Sequence, residues 1–140
     1  MRVRFRYVTT ATGHNAEQQE LERLFHELWH VRQRTILPAG EWRPPTDVYE
    51  TPERLVVKME LAGVPEDAIE ITLYADHLVV SGTRMDREPA GAQAAYREAG
   101  IHYGPFRGEV RLPQPVDGEQ VVATLDNGFL TITLPRARER

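Results

Sequence analysis

The chain has 140 residues, a length that suits one domain with an arm and allows a core that needs no covalent staple. It holds no cysteine, which excludes a disulfide framework and a cysteine-ligated zinc site, and it carries a net charge of −4. Residues 1–40 carry 6 Arg against 4 Asp and Glu, while residues 41–140 carry 11 basic against 17 acidic side chains, so the larger part lacks the clustered basic face that a nucleic-acid partner requires.

The first segment, residues 1–41, reads as an arm. Its opening residues lack the apolar stretch of a secretory signal, and no apolar run reaches membrane-spanning length. The expectation is a soluble, cytoplasmic protein with no membrane partner. Val3, Phe5 and Tyr7 alternate with Arg2, Arg4 and Arg6, the period of a strand over 2–8; the alternative is an unstructured terminus. Residues 14–36 are predicted helical, because Leu21, Leu24, Phe25 and Leu28 recur at three- and four-residue spacing, with Trp29 at the margin of that stripe. Gly13 and Asn15 start the helix, Pro38 and Gly40 stop it, and Pro44-Pro45 mark the entry to the next unit. His26-Glu27-Leu28-Trp29-His30 on this helix also fits the H-E-x-x-H pattern, in which two histidines bind zinc and the glutamate acts as general base. The histidines lie nearly opposite Leu21, Leu24 and Leu28, on the side of Gln19, Arg23 and Arg34, whereas a catalytic zinc helix turns them into a sheltered cleft. A zinc-dependent peptidase is therefore only a remote alternative.

From Trp42 to Pro135 the chain reads as short strands with turn punctuation. Leu55-Val56-Val57-Lys58-Met59-Glu60-Leu61 alternates and is broken at Gly63. Ile69 to Leu73 and Leu78 to Gly82 are two further strands joined by a turn around Asp76. Residues 85–95 are rich in Ala, Gly and charge and read as a long loop. Phe106 to Leu112 resumes as strand and stops at Pro113. Val121 to Leu125 and Phe129 to Leu134 flank Asp126-Asn127-Gly128, and Asn-Gly between two such runs is the strongest short hairpin signal. Many short strands with no helix between them predict an all-β, antiparallel sandwich. Residues 136–140 form a short charged tail. His14, His77 and His102 read as ordinary surface or turn residues.

The order of these pieces resembles the α-crystallin domain of the small heat-shock proteins, in the bacterial and plant branch. Trp42 to Thr51 looks like the family's opening strand, and Glu60-Leu61-Ala62-Gly63-Val64 is similar to its E-L-x-G-V turn. Leu78 to Gly82 resembles its L-x-I-x-G strand, Tyr103-Gly104-Pro105-Phe106 fits Y-G-x-F, and Leu112 to Asp117 fits L-P-x-x-V-D. Ala123 to Leu130 fits the signature A-x-x-x-N-G-x-L. Six motifs in order over residues 42–135 are specific where any one is not. Two positions depart from the pattern. Gly108 stands where the family usually has Arg, and Arg136-Ala137-Arg138-Glu139-Arg140 offers no Ile-x-Ile/Val segment, so shell assembly by that route is not expected.

The resemblance implies an immunoglobulin-like sandwich with an N-terminal amphipathic helix. It implies an ATP-independent holdase chaperone, not an enzyme, that uses no cofactor and no metal. Its partners would be unfolding client proteins and itself, as a homodimer or a larger oligomer. Clients would bind the arm stripe of Leu21, Leu24, Phe25, Leu28 and Trp29. An edge groove would be lined or supported by Ile69, Ile71, Leu73, Val121, Ala123 and Leu125. The leader, through Val3 and Phe5, is expected to plug that groove as an added strand. Dimerisation is expected by strand exchange between Ala95-Tyr96-Arg97-Glu98 and the strand around Val48 and Tyr49 of a partner. The alternative is a surface loop without that role. A second class stays open, a CS-type co-chaperone or interaction module that does not hold clients.

Overall fold

In the computed structural model the described residues are 4–7, of which only the backbone is described, and 41–138. Among the described residues eight strands form two four-stranded sheets. They are β1 (Arg4–Tyr7), β2 (Thr46–Glu50), β3 (Arg54–Glu60), β4 (Ile69–Leu73), β5 (His77–Arg84), β6 (Gly104–Arg111), β7 (Val122–Asp126) and β8 (Phe129–Pro135). One sheet has the order β1-β4-β5-β6 and the other β2-β3-β8-β7. Among the named strands every pairing is antiparallel except β1 with β4, which is parallel. Single 3-10 turns at Glu66–Ala68 and Gly118–Gln120 lead into β4 and β7.

Alternation decides which side chains meet between the sheets. In β4 the pattern Ile69, Ile71, Leu73 is buried while Glu70 and Thr72 are half-exposed. In β8 Leu130, Ile132 and Leu134 turn inward, and in β3 Val57 and Met59 do the same. Phe106 of β6, with Leu78 and Val80 of β5, completes the same core. Burying each such large side chain stabilises the fold by about 1.5–3 kcal/mol.

The β7–β8 turn depends on two residues with positive φ, Asn127 at 49° and Gly128 at 83°. That is the backbone twist a two-residue hairpin requires. Leu61 N–H donates to the Gly128 carbonyl at 2.6 Å, so this turn also locks the end of β3. Trp42, which the sequence placed in the opening strand, instead makes an isolated parallel bridge to Phe106, and β2 begins only at Thr46. Pro44 and Pro45 intervene, and proline cannot donate to a ladder.

Candidate functional site

Two flanks of the sandwich are open in different ways. On the first, β1 beside β4 ends one sheet and β7 ends the other. Ile69, Ile71 and Leu73 of β4 are fully buried core residues, while Val121, Ala123 and Leu125 are half-buried and rest against that core. β1 lies along the outer edge of β4, with Phe5 in register with Ile71 and Tyr7 with Leu73. Val3 lies outside the described residues. The opposite edge of β7 carries no further strand among the described residues.

On the second flank, β2 is the end strand of its sheet and β6 of the other. A cleft of about 340 Å³ opens there, lined by Val48, Tyr49, Glu50, Leu55, Arg111 and Pro113. Val48 is 46% and Tyr49 54% exposed, although Val48 is in register with the buried Val57. The segment Ala95 to Glu98 is exposed and lies in no strand within the single chain.

A cluster that sequence reading missed fixes the roots of the loop between β5 and β6. The Arg84 guanidinium sits 4.4 Å from the Trp42 ring and 5.8 Å from the Tyr103 ring. Its Nε donates to the His102 carbonyl at 2.8 Å and its Nη1 to the Ala62 carbonyl at 3.2 Å. The His102 ring stacks on Trp42 at 5.6 Å, and Trp42 Nε1 donates to the Gly104 carbonyl. His102 is exposed, as expected of a surface residue, but the stacking on Trp42 gives its ring a partner that the sequence did not indicate. No local periodicity links positions 42, 84 and 102; the only signal was a tryptophan beside two prolines.

His77 likewise has partners that the sequence did not indicate. Its Nδ1 lies 2.6 Å from Asp76 Oδ1, its Nε2 lies 3.5 Å from Glu109 Oε1, and its ring stacks on Tyr74 at 4.3 Å. Glu109 is buried on the outer face of its sheet, in register with Val79. Gly108 points inward instead, in register with the buried Val80. A Cβ there would stand 2.7 Å from Met59 Cε, so the methionine occupies the space into which an arginine at 108 would project.

The helix stripe Leu21, Leu24, Phe25, Leu28 and Trp29, the motif His26 to His30, and His14 all lie outside the described residues. Among the described residues no group of three or more His, Asp or Glu could hold a metal ion, and no helix is long and apolar enough to cross a membrane.

Free strand edges and apolar clefts recognise extended polypeptide through main-chain hydrogen bonds and alternate side-chain pockets. The fold is a β-sandwich whose end strands β2 and β7 leave free edges among the described residues. The profile of the Hsp20/alpha crystallin family matches residues 47–140. Spore protein SP21 of Stigmatella aurantiaca is 42% identical over 98 residues, which cover 69% of this chain and 56% of that protein. The 16.9 kDa class I heat shock protein 1 of Triticum aestivum is 37% identical over 92 residues, covering 65% of this chain and 60% of that protein. Heat shock protein 16.0 from Schizosaccharomyces pombe superposes with a TM-score of 0.61 at 25% identity, covering 71% of this chain and 94% of that one. The chain belongs to the Hsp20/alpha crystallin family. The match thus spans little more than half the length of the Stigmatella and wheat relatives.

Proposed function

We propose that this protein is an ATP-independent holdase chaperone that binds partly unfolded proteins in the cytoplasm and keeps them from aggregating. Family membership supports the chaperone role. The observation that carries the finer reading is the outer edge of β7, unpaired among the described residues, beside the half-buried apolar row of Val121, Ala123 and Leu125. Such a flank binds sequence-diverse extended segments, because the backbone supplies the hydrogen bonds and the pockets ask only for apolar side chains. Binding of this kind needs no nucleotide, metal or cofactor.

In this reading the leader, through Val3 and Phe5, shields the flank at rest; the parallel register of β1 on β4 supports that role. The stripe Leu21, Leu24, Phe25, Leu28 and Trp29 supplies a second client surface. Two copies pair by placing Ala95 to Glu98 of each along Val48 and Tyr49 of the other.

The test is light scattering of a heat-denatured model enzyme with the purified protein alone. Suppressed turbidity at a few-fold molar excess without nucleotide is the expected result. Unchanged turbidity would reject the holdase and favour a co-chaperone module. Removing residues 1–8 is expected to alter client affinity or oligomer size; no change in either would reject the shielding role.

A further inference from the structure

The outward side of the β4-β5-β6 sheet is drier than its position in the fold accounts for. Register places Glu109 of β6, Val79 of β5 and Thr72 of β4 side by side in one outward row. β6 is the end strand of its sheet, so an outward glutamate there is expected in solvent, as Arg111 is, two residues on along the same side. Glu109 is instead 6% and Val79 5% exposed, and Thr72 and Arg107 are half-buried. The two sheets turn their inner faces to each other, so no described strand lies over this row. A buried carboxylate is tolerated in the company of cations and donors. His77 Nε2 lies 3.5 Å from Glu109 Oε1, while Arg43 Nη2 donates to the Glu109 main-chain carbonyl at 3.4 Å. An occupant suited to this face brings one more cation set among apolar side chains.

The predicted helix over 14–36 has that pattern. The spacing that unites Leu21, Leu24, Phe25 and Leu28 continues to Arg32, four residues past Leu28 and seven past Phe25, and then to Ile36. Arg23 and Arg34 fall on the opposite side of the same helix, so a single arginine stands in the apolar stripe. Helical positions 32, 28 and 25 succeed one another at about 5–6 Å. Neighbouring strands, and with them Glu109, Val79 and Thr72, succeed one another at about 5 Å. Laid across the strands, the stripe sets Arg32 at Glu109, Leu28 at Val79 and Phe25 at Thr72.

Charge and reach agree with this placement. Residues 1–40 carry 6 Arg against 4 Asp and Glu, and residues 41–140 carry 11 basic against 17 acidic side chains. The chain enters the sandwich on β6 itself: Trp42 N–H donates to the Pro105 carbonyl at 3.1 Å, and the Trp42 carbonyl accepts from Arg107 N–H at 3.0 Å. Glu109 lies about 10 Å along β6 from Phe106. The ten residues from Arg32 to Trp42 span up to about 33 Å when extended, and Pro38 and Gly40 among them let the chain turn back.

We propose that the outward face of the β4-β5-β6 sheet is the docking surface for the apolar stripe of residues 14–36 of the same chain, with Arg32 paired to Glu109 and Leu28 packed on Val79. The occupant is the chain's own arm because the arm is tethered at the rim of this face and carries the one arginine that its stripe presents. The docking goes beyond the client reading of that stripe, since it assigns the stripe a resting place, and the two fail separately.

Limited chymotrypsin cleavage of the full chain, read at Phe25, Leu28 and Trp29, tests it with Arg32→Ala, and with Arg32→Glu and Glu109→Arg singly and together. Both Arg32 variants are expected to speed cleavage there by about tenfold or more, because the docked stripe must open before it is cut. The double reversal returns the rate to within a few-fold of the parent. Glu109→Arg alone places a new charge in a buried position and can unfold the sandwich, so the two Arg32 variants carry the result without it. A second measurement uses the lack of native cysteine: Leu28→Cys combined with Val79→Cys, oxidised in dilute solution, is expected to form a disulfide within one chain. Parental cleavage rates in both Arg32 variants overturn the proposal. A cysteine pair that stays reduced overturns it too, and one that links two chains overturns docking within the chain. Turbidity of a heated model enzyme, read on the same variants, separates the client reading. Faster cleavage with stronger suppression supports the docked stripe as a shielded client surface. Faster cleavage with unchanged suppression keeps the docking and removes the stripe from the client surface.

Discussion

Replacing Gly108 by arginine restores the residue usual in the family and should nonetheless destabilise this protein. Position 108 faces the core, opposite Val80, with Met59 Cε at 2.7 Å and Sδ at 3.5 Å from the site of a Cβ, and Pro44 Cδ at 3.9 Å. Met59 is fully buried, so its thioether has no route to solvent. Gly108→Arg thus overfills the core, at about 1–3 kcal/mol, and adds a buried charge without a partner, bringing the cost to about 3–5 kcal/mol. With a urea slope near ~1.5 kcal/mol/M, the unfolding midpoint should fall by roughly 2–3 M at fixed protomer concentration. The backbone itself is permissive, because Gly108 is not one of the glycines with positive φ. Gly108→Ala should therefore stay within about 1 kcal/mol of the parent, Met59 giving way at its flexible end. Met59→Ala alone should cost about 2–5 kcal/mol. Combined with Gly108→Arg it should recover at least about 1 kcal/mol relative to the sum of the single effects, because one change supplies the volume the other needs. A Gly108→Arg midpoint within about 0.2 M of the parent, or strictly additive single and double effects, would refute the account of Met59 as the filler of that space.

Three further outcomes follow from the same kind of geometry. Gly82→Ala would bring a Cβ against the Ala68 carbonyl and to 2.7 Å from Phe106 Cζ; because the first obstacle is backbone, a loss above about 2 kcal/mol is expected in urea unfolding. Gly128→Ala meets a φ of 83° and the Ala62 Cα at 2.8 Å, and should cost more than about 1 kcal/mol, read as a lower thermal midpoint. Arg84→Ala should leave the core intact but free the loop roots, giving faster protease cleavage between residues 85 and 103 and a shifted Trp42-sensitive fluorescence spectrum. Arg84→Lys should rescue neither, since one ammonium cannot keep the stacked, multiply donating geometry.

Much of the sandwich was legible because its signals are local. The alternation in Ile69 to Leu73 and the Asn127-Gly128 turn each sit within a few residues, and period and turn chemistry act at that range. The six family motifs then supplied the order that periodicity cannot. The Arg84, Trp42 and His102 cluster was not legible, because it joins residues as far as 62 positions apart, such as Trp42 and Gly104. The departure at Gly108 was visible in the sequence, but its partner Met59 was not, since nothing local distinguishes a methionine that fills a gap from any other core apolar residue. The cleft beside β2 was not legible either, because β2, β3 and the end of β6, three separate stretches of chain, make it.

The parallel run of β1 beside β4 has a thermodynamic corollary. In the proposed shielding role, a β1 that leaves this edge stays covalently attached through residues 8–41, so its return is intramolecular. Its local concentration is then set by the length of the connecting chain, each doubling of which costs only about 0.6 kcal/mol. An incoming polypeptide must exceed that standing level or make more contacts than four residues of strand provide. Under the shielding role proposed above, the edge acquires a threshold, ignoring scarce or weak competitors and yielding when unfolded chains become abundant.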